Sequence, residues 1–413
     1  MTSDCDIAES GGRGAARQFP ACDFGFDDLD LSWLRAKRGE KWHGCGPGAL
    51  PASLADMDYP VAPAVREALD AAVRRGDLGY PAWSTWTGAN PLAGPFADRM
   101  DARHGWRPRP EWVRNVSDLL QALQVLLRLA TRPGDAVAVQ TPSYPPFLKT
   151  IEMMDRRVVA CPFERDGGAW GFDAERLERD VRESECRVLL LVNPHNPTGR
   201  VLTRAELESL AGIAVRHDLL VIADEIMSDL CHAPHRHIPM ASLGAEIAER
   251  TITLNSATKA FNFAGLRCAV MHVAPEMVRG AFDSYPPDYF GPVNVLGVEA
   301  TKAAWSEGDA WLAALADHLR ANRDLVAATL AEHAPAIGYD PPESAYLAWL
   351  DCRGLGLAAE PAQHFREKAR VELIPGRAFG AEGRGFTRLN FATSRTVLTE
   401  MLHRMADSLT RVR

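Results

Sequence analysis

Arg187-Val-Leu-Leu-Leu-Val192 and Leu219-Leu-Val-Ile-Ala223 are apolar almost without interruption, and a segment of helical periodicity lies between them. In that segment, Thr203 to His217, Leu207, Leu210, Ile213 and Ala214 recur at helical spacing. Uninterrupted apolar runs suit strands covered on both faces, and strands alternating with helices mark a parallel sheet. The pattern extends both ways along the chain. Ala136-Val-Ala-Val-Gln140 and Arg157-Val-Val-Ala160 precede it, and Thr251-Ile-Thr-Leu254 and Cys268-Ala-Val-Met271 follow. An α/β fold is therefore expected, with a large domain over residues 60–295. Beyond it the pattern changes to a long amphipathic helix, Trp311 to His333, and short alternating strands at Ala345–Leu350 and Thr387–Phe391. A final helix runs from Val397 to Leu409. Residues 296–413 read as a smaller α+β domain, with 21–59 packing against it and 1–20 as a flexible polar tail.

Composition excludes several classes of function. The 413 residues carry a formal charge of -8, so the surface offers no long-range attraction to nucleic acid or anionic lipid. Eight cysteines, at 5, 22, 45, 161, 186, 231, 268 and 352, include no CxxC pair, which leaves a zinc site or a redox motif of that type without support. No run reaches the length of a membrane span, and the start lacks a signal-peptide core. The expectation is a cytoplasmic protein with free thiols.

Ligands bind at strand ends in an open parallel sheet, so the residues after each strand carry the functional reading. Asn193-Pro-His-Asn-Pro-Thr-Gly199 is an irregular turn, read equally well as a tight connection. Asp224-Glu225 ends an apolar strand, where a carboxylate needs a cationic partner unless it caps the next helix. Lys259, in Asn255-Ser-Ala-Thr-Lys-Ala-Phe261, sits among small and apolar residues that would desolvate its amine and lower its pKa, as Schiff-base chemistry requires. Ser256 and Arg267 are suited to a phosphate. His232-Ala-Pro-His-Arg-His237 holds three histidines in six residues. Its proline and lack of carboxylates favour a surface loop over a metal site.

In combination, Asn-Pro-x-Asn-Pro-Thr-Gly, a strand-ending Asp-Glu, and Ser-x-x-Lys with Arg eight residues on resemble the fold-type I pyridoxal-phosphate (PLP) enzymes of the aminotransferase class I/II superfamily. Leu54-Ala-Asp-Met-Asp-Tyr59, Arg103-His-Gly-Trp106, Ala260-Phe-Asn-Phe-Ala-Gly-Leu266 and Tyr346-Leu-Ala-Trp-Leu-Asp351 are similar to its cystathionine β-lyase or cysteine-S-conjugate β-lyase branch, the MalY/PatB group. The resemblance covers residue 24 to the C-terminus. It implies a mostly parallel seven-stranded sheet flanked by helices in the large, cofactor-binding domain. It also implies that Lys259 attaches the cofactor covalently, that Asp224 pairs with the pyridine nitrogen and that Asn196 bonds the ring hydroxyl. Tyr144 would stack on the ring. Ser256, Arg267 and the turn Asp118-Leu119-Leu120 would hold the phosphate. Tyr80 would reach the partner subunit's cofactor and substrate in a homodimer, and Arg388 would clamp the substrate carboxylate. No metal is implied.

Three positions depart from the branch. Met227 stands where it has His and many aminotransferases have Tyr, and Ser53 stands where Trp is common. Asp118 replaces a Gly of the phosphate turn; with Gln121 three residues on, it is expected to cap the following helix with its charge pointing away from the phosphate. The implied reaction is α,β-elimination of a cysteine S-conjugate to thiol, pyruvate and ammonia. A bulky conjugate of sulfur-containing natural-product biosynthesis, as in the lincosamides, fits the departures. The alternatives are an aminotransferase, or a decarboxylating or oxidatively deaminating enzyme on an S-conjugated cysteine.

Overall fold

The computed structural model describes residues 23–83, 90–166, 169–286 and 289–410. The expected tail 1–20 lies outside them. In chain order the strands are β1 (Leu50–Pro51), β2 (Val113–Val116), β3 (Ala136–Thr141), β4 (Arg157–Asp166), β5 (Ala169–Phe172), β6 (Val188–Val192) and β7 (Leu220–Asp224). They continue with β8 (Thr251–Asn255), β9 (Ala269–Val273), β10 (Gly338–Tyr339), β11 (Leu347–Asp351), β12 (Val371–Glu372), β13 (Ile374–Pro375) and β14 (Phe386–Asn390).

The large sheet has the order β2-β9-β8-β7-β6-β3-β4-β5. Its centre is parallel, through β4-β3-β6-β7-β8, and β9 runs antiparallel between β8 and β2. Seven strands were expected from the resemblance, and the sheet has eight. The difference is β5, which pairs antiparallel with the extended end of β4 from Phe163↔Phe172 to Asp166↔Ala169. Every residue of β3, β6, β8 and β9 is buried, as uninterrupted apolar runs require. Helices Leu119–Ala130 and Pro145–Met153 cover one face, where Leu123, Leu126, Ile151, Leu190, Ile222 and Leu254 pack together. Helices Ala174–Glu183 and Arg204–Arg216 cover the other. The second of these starts at a capping box, with Thr203 accepting from the Glu206 amide and Glu206 reaching back to Thr203.

Because the central strands are parallel, Thr141, Val192, Asp224 and Asn255 all end at one edge of the sheet. Val116 ends there too, since β2 opposes β9. Five chain segments that carry candidate residues therefore leave the sheet side by side.

A second sheet, β10-β11-β14-β13, is antiparallel and presents Arg388 between Trp349 and Ile374. Helices Asp309–His333 and Arg395–Thr410 pack together beside it. The N-terminal segment joins this region: β1 pairs parallel with β12, and the Asn390 amide donates to the Ala52 carbonyl at 2.8 Å. That places residues 52–59 between the two sheets.

Gly199 shows how tightly the loop after β6 is held. Its φ is +72°, a conformation that costs an L-residue strain, and a Cβ there would lie 2.3 Å from Pro342 Cβ. Gly199→Ala should destabilise the fold by about 2–4 kcal/mol, combining backbone strain with overpacking. Urea unfolding of the two proteins at equal cofactor saturation measures it.

Candidate active site

The site forms where the segments leaving the large sheet meet Arg388 on β14. Lys259 lies four residues beyond β8. Its Nζ donates to the Ala55 carbonyl at 2.6 Å, and burial lowers its pKa, with Asp56 and Asp224 opposing that shift. Asp224 ends β7 with its carboxyl buried, and burial pushes its pKa up to about 7. Glu225 adds to that rise, while the Ile226 amide, donating at 3.1 Å, and Lys259 oppose it.

Arg388 is 1% exposed. Its Nη1 donates to Asn196 Oδ1 at 2.9 Å and its Nη2 to the Ser53 carbonyl at 3.0 Å, while its Nε has no partner among the described residues. Burial lowers its pKa to about 10, so it stays a cation at neutral pH. One guanidinium edge is thus fixed by the protein, and a further donor remains for an anion. Tyr144, at the N-terminus of Pro145–Met153, is half-buried; burial raises its pKa, with Arg388, Asp224 and Asp118 all within electrostatic reach.

At the opposite end, Asp118 caps Leu119–Ala130 by accepting from the Gln121 amide at 2.7 Å, as its sequence context predicts. Its charge, expected to point away from the phosphate, is turned toward a cation. The second carboxylate oxygen forms an ion pair with Arg267, one of the expected phosphate ligands. The backbone amides of Leu119 and Leu120 open the same helix, where orphan N–H groups favour an anion. Ser256 is committed elsewhere: its hydroxyl donates to the Cys268 carbonyl at 2.7 Å and accepts from the Thr258 amide at 3.2 Å. Its Oγ also lies 2.8 Å from Thr258 Oγ1. A phosphate bond from Ser256 therefore requires its hydroxyl to turn. Tyr80 is fully exposed and joins none of these groups within its own chain. Met227 is buried, its side chain in the apolar core.

Several residues given no role in the sequence reading complete the site. All seven consecutive carbonyls from Ser53 to Tyr59 accept a side-chain hydrogen bond. The donors are Arg388 to Ser53, Asn390 to Leu54 and Asp56, Lys259 and Tyr346 to Ala55, Lys41 to Asp56, Asn262 to Met57 and Tyr59, and Lys37 to Asp58. The segment is a strap over Lys259. Its sequence signal was Leu54-Ala-Asp-Met-Asp-Tyr59, two acids in apolar surroundings, but nothing local says which side chains will hold it.

The expected surface loop His232–His237 exposes Ala233, Pro234 and Arg236, but its two end histidines turn inward. His232 and His237 are only 3% and 5% exposed. His232 is held inward because its amide donates to the Glu343 carbonyl at 2.8 Å and its ring Nε2 bonds the Ala345 carbonyl at 2.8 Å. Among the described residues no cluster of three or more His, Cys, Asp or Glu could hold a metal ion.

The family model for aminotransferase class I and II matches residues 61–405. The chain belongs to that family. Within it, the chain is 34% identical to the cystathionine β-lyase PatB of Bacillus subtilis over 363 residues, covering 87% of this chain and 92% of PatB. Cystalysin of Treponema denticola, whose crystal structure contains pyridoxal 5'-phosphate, superposes with a TM-score of 0.86 at 28% identity, over 92% of this chain and 98% of that one. The PLP-bound C–S lyase of Staphylococcus hominis gives 0.87 at 26% identity, over 94% and 99%. The chain thus shares with those two proteins a fold that spans nearly its whole length.

Asp224 makes a testable link between the site and stability. Its pKa lies near 7 in the folded chain against an ordinary 3.8, so the folded state binds the extra proton and loses stability as pH rises from about 4 to 7. Asp224→Asn should stabilise the cofactor-free protein at pH 8 by up to the order of 4 kcal/mol, with the gain shrinking toward pH 4. Denaturant unfolding at the two pH values measures it.

Proposed function

We propose that this chain is a PLP-dependent carbon–sulfur lyase that cleaves a cysteine S-conjugate to a thiol, pyruvate and ammonia. The observation that carries the reading is a single cluster. A desolvated Lys259 amine stands near the buried Asp224 carboxyl, with the Arg388–Asn196 pair alongside and a free guanidinium nitrogen on Arg388. These residues fit PLP. Lys259 suits its aldehyde, Asp224 its pyridine nitrogen, Asn196 its ring hydroxyl and Tyr144 its ring face. Arg267, Ser256 and the helix start at Asp118-Leu119-Leu120 suit its phosphate, with Asp118 releasing Arg267 and Ser256 turning its hydroxyl. No helix among the described residues is long and apolar enough to cross a membrane.

When bound, the cofactor supplies an electron sink for the charge that develops at the substrate Cα. The rest falls to the chain. Arg388 holds the substrate carboxylate and fixes the Cα–H bond near Lys259. Lys259, its amine more readily neutral because its pKa is lowered, takes the Cα proton. Asp224, ionised, keeps a proton on the ring nitrogen and so favours the carbanionic transition state. Loss of thiolate from Cβ follows, and water completes the release of pyruvate and ammonia. The strap Ser53–Tyr59 limits solvent access to Lys259.

Met227 gives no hydrogen bond to the ring oxygen, which leaves Asn196 as its protein donor. Ser53, half-buried beside Arg388, is smaller than the Trp common at this position in the branch, which supports a bulky conjugate of the natural-product type. The exposed Tyr80, with Leu78 and Val73 also exposed nearby, supports a homodimer in which Tyr80 serves the partner's site.

Aminotransfer is the competing outcome. An N-succinyldiaminopimelate aminotransferase of Mycobacterium tuberculosis, described as probable, is 33% identical over 78% of this chain. Incubation of the cofactor-loaded protein with cystathionine and with a bulky S-alkyl cysteine, followed by mass spectrometry, separates the two. Thiol plus pyruvate is expected, with the bulky conjugate preferred. An intact C–S bond with the amine or the carboxylate lost overturns the lyase reading. Lys259→Ala should abolish covalent cofactor absorbance and reduce turnover by at least about 1,000-fold, the scale of removing an essential proton-transfer group.

A further inference from the structure

The histidine loop is absorbed by none of the chemistry above, yet it reaches the cofactor-bearing segments from behind. His237 Nδ1 lies 3.4 Å from Asn193 Nδ2, and its Nε2 lies 3.1 Å from Glu225 Oε2. Asn193 is oriented by its own acceptor bond, with Oδ1 taking the Leu202 amide at 3.0 Å, so Nδ2 is the atom facing the imidazole. The ring nitrogen there accepts, and the ring proton belongs on Nε2, toward Glu225.

Glu225 is 1% exposed, and its other oxygen accepts the Met240 amide at 2.9 Å. Among the described residues, Glu225 Oε2 and His237 Nε2 have no hydrogen-bond partner apart from this approach to each other. A buried carboxylate directly after Asp224 is costly unless matched, and His237 is the group placed to match it. The neighbouring His104 ring stands edge-on to His237 at 5.1 Å, and burial pulls its pKa down to about 3, so it brings no charge.

Both contacts sit one short step from a cofactor residue. Asn193 lies three residues before Asn196, and its amide donates to the Asp224 carbonyl at 3.0 Å. Glu225 follows Asp224, and its carbonyl accepts Asn255 Nδ2 at 3.2 Å, at the end of the strand that leads to Lys259. We propose that His237 is a positioning residue of the cofactor site, fixing the spacing between Asn196 and Asp224 by bridging Asn193 to Glu225. This rests on the reading that Asn196 and Asp224 hold PLP.

Three variants separate the two contacts. His237→Phe keeps the ring's bulk and loses both. His237→Gln places a donor near Nε2 and keeps the reach to Glu225, whereas His237→Asn places an acceptor near Nδ1 and keeps the reach to Asn193. The readouts are PLP dissociation from each full-length protein, circular dichroism of the bound cofactor, which reports ring orientation, and the melting temperature of the cofactor-free chain. His237→Phe should weaken PLP binding about ten-fold or more and change the cofactor's dichroism, and the other two should each recover part, in keeping with one buried polar contact apiece.

PLP affinity within about two-fold of the parent and an unchanged dichroic band in His237→Phe overturn the proposal. So does a fall in melting temperature alone. If His237→Phe does not fold, the folded Gln and Asn variants decide by the same two cofactor readouts. Lys259→Ala in the otherwise native chain keeps the two readings apart. Retained covalent absorbance there defeats the site assignment, while its loss alongside silent His237 variants defeats this proposal alone.

Discussion

Backbone carbonyls buried away from water must find donors. In this chain seven consecutive ones in a half-buried to buried segment, Ser53 to Tyr59, find them in side chains rather than in a strand or helix. That requirement organises the centre of the molecule. The strap cannot lie where it does unless Lys259 and Asn262 come from the large sheet, Arg388 and Asn390 from the small one, and Lys37 and Lys41 from the N-terminal segment. Each of those donors is in turn held by the strap. The two sheets are thus joined by polar contacts at the place where the chemistry is assigned, while the apolar contacts around Phe261, Trp311, Leu315 and Leu398 join them elsewhere.

The same desolvation that makes those hydrogen bonds obligatory sets the charges. Burial lowers Lys259 and Arg388 and raises Asp224, each toward its neutral form. The shifts are of different use. A lysine that is readily neutral is a nucleophile and a base, and an aspartate titrating near 7 is available to a protonated pyridine nitrogen. An arginine lowered only to about 10 is still a cation. Glu225 adds a second carboxylate to this small volume, with the Met240 amide on one oxygen and the His237 ring 3.1 Å from the other.

Much of the architecture could be read from uninterrupted apolar runs, because strands covered on both faces carry no polar alternation to confuse the pattern. β3, β6, β7, β8 and β9 lie within one or two residues of where the runs place them. β5 was not legible, since Ala169-Trp-Gly-Phe172 is short and takes its shape from pairing with β4. The candidate residues Asn196, Asp224, Lys259 and Arg388 were legible as motif positions and do converge. The strap and the histidine loop were not. Their roles depend on partners such as Asn262, Asn390, Glu343 and Ala345, some of them hundreds of residues away in the chain.

The sequence by itself determined the buried central strands of the large sheet, the place of Lys259 after β8 and the family to which the chain belongs. Periodicity, turn residues and motif spacing are local properties and survive in one dimension. Only the tertiary structure decided that Asp118 turns toward Arg267, that Ser256 is held by Cys268 and that His232 and His237 lie inside. Those outcomes follow from which donors and acceptors are left without water once the sheets and the strap have closed around them, and that is a property of the packed chain as a whole.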